Sequence, residues 1–179
     1  RFIPGQPMGE HCLTGLAHDR SSRVAYEPDT NQEGILRRSL KLAALQRTLK
    51  TPPVFGGNEG ELLIVGWGST KGAIEEAVER LRDEGRKVSS LHLRFIQPLP
   101  PGIKEVLLGF DKVMTVESNW SDSFDHEIIT DDNRRYSELA WLLRARTLVD
   151  IDCWSEVRGE PLKPASIVSA IRRQLQGKG

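Results

Sequence analysis

Cysteine is scarce in this chain of 179 residues: only Cys12 and Cys153 occur, far apart and in no Cys-x-x-Cys pattern. That excludes a cysteine-ligated iron–sulfur cluster and a structural zinc knuckle within the chain, and reduced thiols in a cytoplasmic protein are the expectation. A charge excess of either sign is also missing. The 25 Lys and Arg balance 25 Asp and Glu, so no overall field draws the chain to nucleic acid or to an anionic membrane. Apolar runs last only a few residues where roughly 20 are needed to cross a bilayer, and no charged-then-apolar segment stands at the start. A cytoplasmic location, no membrane and no nucleic acid are therefore expected. Aromatics are few, and Trp67, Trp120, Trp141 and Trp154 do not alternate with basic residues as a single-strand stacking surface would require. Internal repeats and low-complexity tracts are absent too.

What is present reads as alternating strands and helices. The first residue is Arg1 rather than Met, and Arg1 to Gly9 is rich in Pro and Gly, so a fragment of a longer protein is expected. Up to Asn31, with Pro28 among its breakers, the chain predicts an irregular surface segment. Glu33 to Leu49 predicts an amphipathic helix on the spacing of Leu36, Leu40, Ala43 or Ala44 and Leu45, stopped by Thr51-Pro52-Pro53. Residues 1–60 are thus a linker plus helix, and 61–179 an α/β domain. The domain opens with Leu62 to Val65, a short apolar run typical of a strand buried on both faces. A glycine-rich turn follows, then a helix from Gly72 to Glu84 with Ile74, Ala77, Val78 and Leu81 on one face and Gly85 as its stop. Lys87 to Phe95 alternates like a strand. After Pro98, Pro100 and Pro101 come a short helix (Ile103 to Leu108), a buried strand (Val113 to Val116) and a polar stretch (Glu117 to Asn133). A helix (Tyr136 to Arg144), a strand (Leu148 to Asp152), a turn-rich loop (Gly159 to Pro164) and a last helix (Ala165 to Leu175) complete it, before a disordered-looking Gly177-Lys178-Gly179. The order predicts a three-layer α/β/α sandwich with a mostly parallel sheet.

The glycine turn is the first candidate for chemistry, because glycines between strand and helix let backbone N–H groups approach a phosphate. Gly66, Gly68 and Gly72 read G-x-G-x-x-x-G, one position away from the dinucleotide fingerprint, and Arg94 ends the second strand where an acidic residue is usual. Arg94 stands where a 2′-phosphate would be met, so an NADP-type site is one reading; a tight turn and a subunit contact are the others. Ser69 and Thr70 complete the candidate ligand or interface contacts in this turn, which fits neither a Walker loop nor a serine elbow. Glu117 joins the candidates as a carboxylate at the carboxyl end of a buried strand, where helix capping or a subunit contact explains it equally well. His11, Cys12, His18 and Asp19 have no metal-site spacing. Asp122, Asp125, His126, Glu127, Asp131 and Asp132 lack the EF-hand order and predict a solvated loop. No catalytic residue and no metal ligand is assigned.

Leu62-Leu63-Ile64-Val65-Gly66-Trp67-Gly68-Ser69-Thr70, then Gly72-Ala73-Ile74, Glu76-Ala77-Val78, Leu91-His92-Leu93-Arg94 and Pro98-Leu99-Pro100 resemble the C-terminal part of the α subunit of 2-oxoacid:ferredoxin oxidoreductases, the 2-oxoglutarate type especially. Thr14-Gly15-Leu16 with His18-Asp19, and the basic stretch of Arg37-Arg38 and Lys41-Leu42, resemble that family's segment joining its thiamine-pyrimidine domain to this one. Val116-Glu117-Ser118-Asn119 and Leu142-Leu143-Arg144 resemble the next strand end and helix. The resemblance implies a fold like the transketolase C-terminal domain. It implies a complete enzyme that oxidatively decarboxylates a 2-oxoacid to its acyl-CoA and passes electrons to ferredoxin, using thiamine diphosphate, magnesium, coenzyme A and iron–sulfur clusters. None of these is expected to be bound by this chain alone, since the family's motifs for them lie on its other domains and on the β subunit. The implied role is assembly and shaping of a neighbouring active site, in an oligomer with the rest of the α subunit and the β subunit. Between Trp120 and Tyr136 the sequence departs from the family, with an acidic stretch where a short glycine- and glutamine-containing loop is usual. A free-standing NADP-type domain and a pure subunit-interaction module are the competing expectations.

Overall fold

A computed structural model of the chain describes residues 3–123 and 125–177; the first two residues, Phe124 and the end of the expected tail beyond Gly177 lie outside them. The chain divides into two units between Thr48 and Leu49. Among the described residues no helix is long and apolar enough to cross a membrane.

In the first unit, His18 and Val24 form an antiparallel bridge around a turn held by Asp19, whose carboxylate accepts the N–H groups of Ser21 (2.8 Å) and Arg23 (3.0 Å). Helix α1 follows at Pro28–Gln46. It starts earlier than the predicted Glu33 and stops short of Leu49. Pro28, read from sequence as a breaker, sits in its first turn, where a missing N–H costs nothing. The apolar spacing does not translate into a buried face: α1 has no buried residue, and Leu36, Leu40 and Leu45 are all exposed.

The second unit is built on five strands, β1 (Val54–Phe55), β2 (Gly60–Trp67), β3 (Val88–Leu93), β4 (Phe110–Glu117) and β5 (Asp152–Ser155), in the order β1-β3-β2-β4-β5. All pairs are parallel except the edge pair β1–β3. Alternation along β2 sends Leu62 and Ile64 to one face and Leu63 and Val65 to the other, all four fully buried. On the first face lie α2 (Lys71–Asp83) and α5 (Pro164–Leu175), contributing Ile74, Ala77, Leu81, Ile167 and Ile171. On the second lie α3 (Ile103–Leu108) and α4 (Glu138–Thr147), contributing Ile103, Leu107, Leu139 and Leu143. The expected three-layer sandwich with a mostly parallel sheet is what forms.

Four local expectations are corrected. Val54 and Phe55, placed by sequence ahead of the domain, form the antiparallel edge strand of its sheet; two residues are too few to show a period. The alternation read in Lys87 to Phe95 does not expose one face of β3, because Ser89 and Ser90 are buried and Ser89 Oγ accepts the Gly57 N–H at 2.9 Å. Helix α4 runs on to Thr147 and not only to Arg144. β5 therefore begins at Asp152, not Leu148, because Leu148 adopts a left-handed conformation (φ 58°) that ends α4 and leaves its side chain exposed.

Connectivity fixes where a ligand would lie. From β2 the chain crosses through α2 to β3 on one side, then returns through α3 to β4 on the other side of β2. The connections leaving the carboxyl ends of β2 and β4 diverge there, which opens a crevice in folds of this kind.

Candidate functional site at the carboxyl edge of the sheet

The glycines of the turn differ in what surrounds them. Gly66 is still in β2, opposite His92 of β3, and a Cβ on it would stand 2.3 Å from Ile74 Cδ1 and 2.7 Å from Thr70 Oγ1. The close approach that this glycine permits is therefore made by α2 of the same chain. Gly68 has φ +62° with open space around it, so it serves the backbone conformation. Gly68–Thr70 form a single 3₁₀ turn leading into α2, and Thr70 Oγ1 donates to the Trp67 carbonyl at 2.9 Å. Ser69 is exposed. Gly72 lies in the first turn of α2 with nothing near its Cβ position, and nothing in the structure requires a glycine there. Arg94 is exposed just beyond β3.

His92, which sequence reasoning did not single out, lies beside this turn with Nδ1 buried and, among the described residues, without a hydrogen-bond partner. Burial, with Lys71 and Arg94 acting in the same direction and Glu75 opposing them, holds its imidazole below the ordinary histidine range.

Glu117 is fully buried at the end of β4. Its Oε1 accepts Ser137 Oγ (2.6 Å) and the Ala140 N–H (3.2 Å); its Oε2 accepts the Leu139 N–H (3.0 Å) and Asn119 Nδ2 (3.2 Å). Leu139 and Ala140 are in the first turn of α4, whose N-cap residue Ser137 makes no side-chain cap of its own. Glu117 thus caps α4 from the neighbouring strand.

The acidic stretch is tied shut at its neck. Asp122 and Arg135 are bonded in both directions: the Asp122 N–H donates to the Arg135 carbonyl (2.9 Å), and the Arg135 N–H donates to the Asp122 carboxylate at Oδ2 (2.9 Å). The Arg135 guanidinium adds Nε to Oδ2 (3.2 Å) and an Nη to Oδ1 (3.0 Å), and the Trp120 indole donates to Oδ1 at 2.8 Å. Asp122, expected in a solvated loop, is buried; these donors, the Arg135 side chain foremost, hold its carboxyl well below the usual carboxylate range. Inside the neck, Arg134 has a side chain only 6% exposed and pairs with Asp152 at 2.7 Å. It also donates to the carbonyls of Cys153 (3.1 Å) and Asp122 (3.2 Å) and lies 4.8 Å over the Tyr136 ring. An inward-pointing arginine thereby covers the outer edge of β5. Asp125, His126, Glu127, Asp131 and Asp132 remain exposed.

Cys12 and Cys153 are free thiols, one exposed and one buried. His18 Nε2 and Thr14 Oγ1 are 3.2 Å apart. Among the described residues no group of three His, Cys, Asp or Glu stands where it would hold a metal ion.

At the carboxyl end of β5 lies a groove of about 510 Å³ between the Trp120 loop and α5, lined by Trp120, Trp154, Arg158, Ser166, Ser169 and Arg173 among others. These residues come from three separate stretches of chain, and only the fold unites them. The sequence carried no signal for this groove: the tryptophans were read only as lacking alternation with basic residues, and two of the four, Trp120 and Trp154, line it.

Residues 60–147 match the family described as pyruvate:ferredoxin oxidoreductase core domain II. The chain is similar to 2-oxoglutarate oxidoreductase subunit KorA of Mycobacterium tuberculosis, 33% identical over 178 residues, covering 98% of this chain and 24% of that protein. It is similar to the α subunit of 2-oxoacid:ferredoxin oxidoreductase 2 of Aeropyrum pernix, 29% identical over 92% of this chain and 24% of that one. Its structure is similar to that of a 2-oxoglutarate:ferredoxin oxidoreductase from Magnetococcus marinus, determined with 2-oxoglutarate, coenzyme A and succinyl-CoA bound. The TM-score is 0.71 and the identity 26%, over 97% of this chain and 28% of that chain. The chain spans about a quarter of the length of the curated relatives it matches.

Proposed function

The chain belongs to the 2-oxoacid:ferredoxin oxidoreductase α-subunit family through its pyruvate:ferredoxin oxidoreductase core domain II, and on that footing we propose that it is a scaffold domain which assembles and shapes the active site of a complete enzyme. That enzyme decarboxylates a 2-oxoacid, 2-oxoglutarate by preference, to its acyl-CoA and passes the electrons to ferredoxin in the cytoplasm. The observation that carries the proposal is likeness along 97% of the chain to a 2-oxoglutarate:ferredoxin oxidoreductase.

The internal chemistry supports a scaffold. Glu117 caps α4, Gly66 accommodates Ile74 and Thr70, and Asp122 closes a loop, so the groups most suggestive of catalysis are engaged in holding the fold. The residues present do not fit the enzyme's inorganic groups. Two separated cysteines fall short of the four that an iron–sulfur cluster takes, and among the described residues no group of three His, Cys, Asp or Glu is placed to hold a metal ion. Those groups are assigned to the remaining α-subunit domains and to the β subunit.

Mixing the chain with the β subunit and the rest of the α subunit tests the assignment. Co-elution as one complex in gel filtration is expected, and elution of this chain alone at every ratio contradicts it.

A further inference from the structure

We infer that the groove between the Trp120 loop and α5 binds an adenosine phosphate, its ring stacked on Trp120 and its phosphate held by Arg158 and Arg173. The inference stands on the groove itself and does not depend on the scaffold role.

Position comes first. The groove opens at the carboxyl end of β5, on the carboxyl edge of the sheet and one strand beyond the β2–β4 crevice, and its volume of about 510 Å³ lies in the range of small-molecule sites. Next come its walls. Trp120 is 58% exposed, yet its indole N–H is tied to Asp122, so a large apolar ring is held in place with much of its surface open to solvent. The floor beside it is equally fixed: Ser155 Oγ accepts the Ser121 N–H at 2.8 Å and lies 2.9 Å from Ser121 Oγ. A fixed, exposed indole suits a flat heteroaromatic ring, which stacks with little ordering cost.

Charge completes the match. Among the described residues Arg158 pairs through Nε with Glu156 at 3.0 Å and Arg173 makes a long 3.3 Å contact with Asp125, which leaves further guanidinium nitrogens of both to meet an anion. Ser166, on the same side of α5, adds a hydroxyl for a ribose or a phosphate oxygen, while Ser169 Oγ donates to the Ala165 carbonyl at 3.0 Å and offers its lone pairs to a ribose hydroxyl. The N-cap residue of α5 is Lys163, which supplies no capping acceptor, so the positive end of this helix adds to the field. The groove is also lined by Glu156, whose charge is met by Arg158 Nε; an indole face, two guanidinium groups against that one carboxylate, and hydroxyls describe a nucleoside phosphate better than an apolar or a cationic ligand. A free nucleotide and the nucleotide end of coenzyme A share that chemistry.

Titration of the full chain with ADP, adenosine 3′,5′-bisphosphate, coenzyme A and inorganic phosphate, followed by calorimetry and tryptophan emission, is the test. Saturable one-to-one binding of the adenosine phosphates with quenched emission is expected. Trp120→Ala and Arg173→Ala should each weaken it about tenfold, the scale of one stacked base or one charge-assisted contact. Asp125→Asn should tighten it by releasing Arg173, an effect that general loosening of the fold would not produce. Ser69→Ala and Arg94→Ala, at the other turn, should leave it unchanged. Tighter binding of coenzyme A than of ADP would point to the coenzyme as source, and the reverse to a free nucleotide. No saturation at millimolar ligand, binding indifferent to Trp120 and Arg173, or inorganic phosphate binding as well as the nucleotides would each overturn the inference. Circular dichroism of every variant shows that the fold is intact.

Discussion

Glu117 at the end of β4 accepts a 2.6 Å hydrogen bond from Ser137 Oγ, across twenty residues of chain, and through it the sheet governs where α4 begins. A carboxylate at the carboxyl edge of a parallel sheet invites a catalytic reading. Here its four hydrogen bonds all lie within the chain.

Glu117→Ala removes the acceptor from two α4 amides and a buried hydroxyl. The expected cost is about 3 kcal/mol, the scale of leaving several buried donors unsatisfied. Glu117→Gln, which keeps one carbonyl oxygen, should fall between it and the parent in urea unfolding. A loss below about 1 kcal/mol for the alanine variant would contradict the capping role.

The three turn glycines should separate cleanly. Gly66→Ala forces Ile74 and Thr70 away and should cost about 1–3 kcal/mol, partly recovered by Ile74→Val. Gly68→Ala, strained by its left-handed backbone, should cost about 1 kcal/mol. Gly72→Ala lies in open space on a helix and should gain up to about 1 kcal/mol. Thermal unfolding of the three variants measures the order.

The Asp122 neck predicts a direction with pH. Its carboxyl is held below the usual range in the folded chain, so its contribution is fully present above the unfolded value near pH 4 and is lost as pH falls further. Asp122→Asn should therefore be less stable than the parent at pH 7, with the gap closing below about pH 4. Limited proteolysis between residues 123 and 134 should be faster in the variant at neutral pH.

His92 predicts another. A histidine held below its ordinary range resists protonation in the folded state, so stability is lost as pH falls from the unfolded value near 6.5 toward the lower folded value. His92→Leu also removes the unpartnered Nδ1, and it should lose less stability than the parent between pH 7 and pH 5. An identical pH profile for the two proteins contradicts this.

Much of the architecture was legible in the sequence because β2 and α2 carry strong periods: Leu62 to Val65 apolar on both faces, Ile74, Ala77, Val78 and Leu81 on one. Where local signals were weak, boundaries moved. The two-residue β1 has no period, Pro28 opens α1 instead of interrupting a loop, and Leu148 ends α4 in a conformation that β-branched and apolar propensities do not reveal. The candidate site was less legible. Gly66 and Glu117 were visible as residue types, but only the fold shows that Ile74 fills the space beside one and that α4 takes the hydrogen bonds of the other. The pairing of Asp122 with Arg135 spans thirteen residues, and the Trp120 groove joins stretches more than thirty residues apart. No local pattern encodes either.

The central claim, a scaffold domain within a larger oxidoreductase, is tested most directly by turnover. 2-Oxoglutarate- and coenzyme A-dependent reduction of ferredoxin is measured with the complete α and β subunits, with an α subunit lacking this region, and with this chain alone. The account predicts activity only in the complete assembly. Turnover by the isolated chain, or undiminished turnover without it, would contradict the account.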